Sequence, residues 1–80
     1  MHPTLEQAVM NAIEEHLSAY PQAADSAEGV ARWWLPSHGL TATPAEVEHV
    51  LAGMVRRHSL RCVRLADGTV LYARQRNDVH

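Results

Sequence analysis

The sequence predicts an α+β domain in which three helices are followed by a C-terminal β-hairpin. Three observations carry this reading. Residues 43–58 form a capped amphipathic pattern of helical period. Two short apolar runs then flank Asp67-Gly68, a pair that favours a tight type I′ hairpin turn. Two earlier helical segments each stop at a proline, which forces the residue before it out of the helical region. With 80 residues the chain makes one small domain with a thin stability margin. Its expected extent is 1–74, with a polar, flexible tail over 75–80.

The first helix starts at a Thr4 cap with Gln7 in the capping-box position. Leu5, Val9, Ala12, Ile13, Leu17 and Tyr20 repeat at helical spacing, with mostly polar residues opposite, and Pro21 ends the run. Residues 21–24 are a short connector. Asp25 is the expected cap of the second helix, with Glu28 three residues later, and the helix runs to about Leu35 before Pro36. Ala27, Val30, Ala31 and Trp34 share a stripe, so Trp34 is the core tryptophan. Trp33 falls on the flank, where it either covers a core edge or serves as an interface anchor.

Residues 36–39 are a turn. In the third helix Thr43 caps, Pro44 suits the first position and Glu46 completes the capping box. Val47, Val50, Leu51, Met54 and Val55, with His58 at the margin, form its apolar face. The opposite face carries Ala45, His49, Ala52, Gly53 and Arg56, a smooth stripe that permits close approach by another surface. Small residues there also suit a helix with no such task. In the hairpin, a two-residue turn would place Leu65 opposite Val70, Val63 opposite Tyr72, and Arg61 opposite Arg74. The last pairing sets like charges side by side.

Charge is unevenly spread. Net charge is −2, which argues against a general polyanion binder, and every basic residue is an arginine. Through Val50 only Arg32 opposes seven carboxylates. From Leu51 onward six arginines face only Asp67 and Asp78. The chain is therefore acidic in front and basic behind. Those arginines either form a binding patch or solvate the hairpin.

The six histidines match no zinc spacing, and His58 with Cys62 supplies only two soft ligands, so no metal site is expected. The single cysteine rules out an internal disulfide, and Cys62 reads as an inert buried thiol. Without a phosphate-cradling glycine loop or room for a substrate pocket, neither a cofactor nor catalytic residues are expected and the chain is not read as an enzyme. No apolar run approaches the ~20 residues that span a bilayer. The start, MHPTLEQAV, lacks the pattern of a secretory signal. The expectation is a cytoplasmic protein with no membrane partner.

DSAEGVARWWL as second helix, TPAEVEHVLAGMVRRHSL as third and LRCVRLADGTVLYAR as a wing resemble a winged helix-turn-helix domain of the small bacterial type, across about residues 4–74. The resemblance implies that the third helix enters the DNA major groove and the wing touches backbone or minor groove. Carried over by position, the nucleic-acid contacts would be Ala45, His49, Gly53 and Arg56 on the helix, and Arg61, Arg64 and Arg74 on the wing. Double-stranded DNA is then the implied partner and transcriptional regulation the implied role. The alternative is a protein-interaction module of the same fold, docking through Trp33 or the smooth helix face. Assembly into a homodimer through the first helix is compatible with either. At the helix start, Glu46 and Glu48 suit capping and the helix dipole, whereas beside phosphates they would repel.

Overall fold

The computed structural model describes residues 4–75. Helix α1 spans Leu5–Ala19, and Thr4 Oγ1 accepts the Gln7 N–H at 3.1 Å to cap it. The expected capping box does not close, because the Gln7 amide donates to Asn11 Oδ1 at 3.0 Å instead. The connector expected over 21–24 ends in a strand: β1, Ala24–Asp25, pairs antiparallel with the last strand, Ala24 against Ala73 and Asp25 against Tyr72. With its backbone held in the sheet, Asp25 cannot cap the next helix. Ser26 does so, its hydroxyl accepting the Gly29 N–H at 3.1 Å, while Asp25 Oδ1 accepts the Ser26 N–H at 2.8 Å.

The second helix is not uniformly α-helical. Helix α2, Ala27–Gly29, widens into a π-helical turn over Val30–Trp34, where the Leu35 N–H reaches Val30 O at 3.0 Å. Val30, Trp34 and Leu35 are all buried as a result, whereas Trp33 is 67% exposed. A 3₁₀ turn, Pro36–His38, follows and ends at Gly39, whose φ of 73° is the left-handed conformation that glycine adopts freely. Helix α3, Pro44–Arg56, carries the complete capping box. Thr43 Oγ1 accepts from the Glu46 N–H at 3.1 Å, and Glu46 Oε1 from the Thr43 N–H at 2.9 Å.

The core lies between these helices. Val9, Ala12, Ile13 and Leu17 of α1 meet Val30, Trp34 and Leu35, and Val47, Val50, Leu51 and Met54 of α3. Leu60 seals the edge, and half-buried Tyr72 packs against the cluster. Burying a valine, leucine or isoleucine this completely stabilises the fold by about 1.5–3 kcal/mol each, before entropy is counted. His58, expected at the apolar margin, is exposed, since α3 has already ended and His58 takes a φ of 63° to turn the chain.

Strands β2, Leu60–Arg64, and β3, Val70–Arg74, form the hairpin, and β1 lines the far side of β3 in the order β1-β3-β2. The register differs by one residue from the two-residue-turn expectation. Leu60 faces Arg74, Arg61 faces Ala73, and Arg64 faces Val70. The Leu65 N–H bonds Thr69 O at 2.7 Å and the Gly68 N–H bonds Leu65 O at 3.0 Å, so three residues span the turn. Only Gly68 in that loop has positive φ, at 92°, which fits a type I turn closed by a left-handed glycine; type I′ would require Asp67 to adopt it too. The expected Arg61–Arg74 juxtaposition therefore does not occur.

Among the described residues this is a mixed α+β fold with three helices and a three-stranded antiparallel sheet, compatible with a winged-helix arrangement. No helix in them is long and apolar enough to cross a membrane. The tail expected over 75–80 lies, apart from Gln75, outside the described residues.

Candidate nucleic-acid interface

The arginines follow one another from helix to hairpin because α3 stops abruptly. Its dipole favours cations in the last turn, where Arg56 and Arg57 sit. The Arg57 N–H returns to Gly53 O and the Ser59 N–H to Met54 O, so the chain reverses within three residues and delivers Arg61 onto β2. Alternation places Arg64 and Arg74 on the sheet face that Leu60 and Tyr72 share, and Arg61 on the other face beside Val63. Only Leu60 of β2 is buried, so this strand runs out beyond the core and exposes Arg61 and Arg64.

Arg56, Arg57, Arg61, Arg64 and Arg74 are all exposed, and no ion pair among the described residues engages them. Arg32 differs: it bonds Glu28 Oε1 at 3.0 Å, one helical turn away. Arg57 Nη1 also lies 3.3 Å from Met10 Sδ, a soft contact that leaves its charge unneutralised. Arg74 borders a shallow cleft of about 190 Å³ that includes Glu14 and Leu60. Asp67, at the turn, accepts the Thr69 N–H at 2.9 Å, and hydrogen bonding to the Thr69 backbone and side chain lowers its pKa from the ordinary carboxylate value.

The first half of α3 has the opposite character. His49 Nε2 stands 3.7 Å from Glu6 Oε2 of α1, and Glu46 is held in the capping box. Ala45 and His49 line a groove of about 380 Å³ between the first turns of α1 and α3, with Leu5, Glu6, Val9, Glu46 and Val50. Burial raises the Tyr72 pKa, and the nearby charges of Glu48 and Cys62 raise it further. Ala45, His49, Gly53 and Arg56 thus share one helix, but only Arg56 belongs with the hairpin cations. Gly53 is half-buried, and a methyl group there would meet only Arg56 Nη2, at 3.7 Å.

Two side-chain groups lie apart from this surface. Trp33 projects from the π-turn. Against the adjacent Trp34, the His16 ring of α1 stacks at 4.2 Å and 15°, with Tyr20 at 5.0 Å and His38 edge-on at 5.9 Å. Burial lowers the His16 pKa, the His38 charge lowers it further, and Asp25 opposes both. Among the described residues no three His, Cys, Asp or Glu side chains are grouped to hold a metal ion. Cys62, expected to be buried, is exposed because β2 is an edge strand beyond the core.

The acidic groove was not legible in the sequence, since it arises only where two helix starts meet. The imidazole pair of His16 and His38 was hidden because it forms only where the end of α1 meets the 3₁₀ turn. Comparison of the chain with protein-family profiles, curated proteins and solved structures finds no match.

Proposed function

We propose that the domain is a winged helix, with β2 and β3 as its wing, and that it binds duplex DNA mainly through the phosphate backbone. One observation carries the reading: five exposed arginines gather at the end of α3 and on both hairpin strands, with no ion pair among the described residues. Arginine presents a planar fork that matches phosphate, and backbone contacts supply most nonspecific affinity. Because the hairpin carries arginines on both faces, cations are available to phosphates on either side of it. Base readout by the start of α3 has little support, since Glu6 and Glu46 line the same groove as Ala45 and His49, and Glu48 adds a further carboxylate to that helix start. The reading is therefore a sequence-tolerant DNA-binding module of a small regulator, working in the cytoplasm, with Arg56, Arg61, Arg64 and Arg74 as its principal contacts.

The test is a titration with mixed-sequence duplex DNA over a range of salt. Three to five phosphate contacts predict a slope of log K against log salt of roughly −3 to −4.5. The double variant Arg61→Ala/Arg64→Ala should flatten that slope by about two. No binding at low salt with micromolar protein would overturn the proposal.

A second reading, protein recognition, rests on Trp33, an indole left 67% exposed in a domain whose other tryptophan is buried. Exposed aromatic residues are frequent interface anchors. Trp33 emission that shifts on adding duplex DNA would favour a role in the first reading rather than a separate protein site.

A further inference from the structure

We propose that the groove between α1 and α3 receives the outer face of the hairpin from a second copy of this chain. The groove is apolar along Leu5, Val9, Ala45 and Val50, and Glu6 and Glu46 stand at it. Leu5 is 45% exposed there, although it belongs to the apolar stripe of its helix. The hairpin offers the complement. By alternation Arg61, Val63 and Leu65 share one face, and Val63 and Leu65 are 39% and 41% exposed.

These surfaces match in apolar character and in charge. A groove of about 380 Å³ accommodates two aliphatic side chains of this size, with the Arg61 guanidinium reaching the carboxylates beside it. The acidic front and basic rear of the sequence become, in the fold, an acidic apolar groove and a basic apolar ridge. Such a pairing is heterologous, groove of one copy on hairpin of the next. The contact is small, so association is weak, and it loosens with salt. It does not rest on the DNA reading, and its test contains no nucleic acid.

Sedimentation equilibrium of the full chain, from micromolar to millimolar protein at low salt, should give a mass that climbs above the monomer. Ala45→Arg blocks the groove and Leu65→Glu blocks the ridge; both positions are exposed, and circular dichroism checks that each variant folds. Each variant alone should remain monomeric at concentrations where the wild type associates. Mixed in equal amounts they should form a dimer, because one keeps its ridge and the other its groove. A wild type that stays monomeric throughout overturns the proposal. So does a mixture that stays monomeric while the wild type associates, or a blocked variant that still self-associates.

Discussion

The Asp25 carboxylate lies over the backbone of Gly29, so closely that a methyl group on Gly29 would overlap it. Asp25 is held there by two constraints, its pairing with Tyr72 in the sheet and its hydrogen bond from the Ser26 N–H. Gly29→Ala must displace that carboxylate, at a net cost of about 1–2 kcal/mol. In the Asp25→Ala background the obstruction is gone and the same change should stabilise by about 0.5–1 kcal/mol, as alanine does in a helix. Urea unfolding of the four-member cycle reads this change of sign.

His16 makes the fold sensitive to mild acid. Its pKa is lowered in the folded chain, chiefly by burial, so the unfolded chain binds this proton more readily. The contribution of His16 is therefore complete above its unfolded value of about 6.5 and is lost as pH falls through the lowered folded value. Thermal unfolding at pH 7.5 and 5.5 should show a fall in Tm. His16→Phe, which keeps a ring against Trp34, should show a smaller one.

The two N-terminal caps predict different responses. Thr43→Ala should cost about 1 kcal/mol, because the hydroxyl satisfies a backbone N–H of α3. Gln7→Ala should cost no more than about 0.5 kcal/mol, since that amide bonds only Asn11 on the helix surface. If Gln7→Ala proved as damaging as Thr43→Ala, the open capping box of α1 would be disproved.

Gly53 and Gly68 should answer oppositely to alanine. Open space beside Gly53 leaves only helix propensity, so Gly53→Ala stabilises by about 0.5–1 kcal/mol. Gly68 holds a φ of 92°, and Gly68→Ala costs about 1–2 kcal/mol. Denaturant midpoints of the two variants, on either side of the wild type, check both.

The long helices were legible because each announces itself twice, by period and by cap. Thr43 with Glu46 is the clearest case. The strand at Ala24–Asp25 was not, since two residues show no alternation and their partner, Tyr72–Ala73, is remote in sequence. The π-turn was equally hidden: local propensity favours an α-helix, and packing Val30, Trp34 and Leu35 together selects the wider turn. Asp67-Gly68 located the hairpin but left its register open, because a left-handed glycine serves both the two- and the three-residue loop. In the candidate interface, the exposed arginines could be read from charge alone. The acidic start of α3, with Glu46 and Glu48, could be read as well, but the approach of Glu6 to His49 could not, since it comes from another helix.

Pairing Ala24 with Ala73 gives the fold an order in time. As the chain leaves the ribosome, the segment after α1 has no strand to join until Val70–Arg74 has been made. The helices can collapse earlier, but Asp25 is not anchored and its place over Gly29 not set until β3 arrives. Chains released before Val70 would hold a loose helical cluster with the second helix uncommitted, a form that cellular proteases would find and clear.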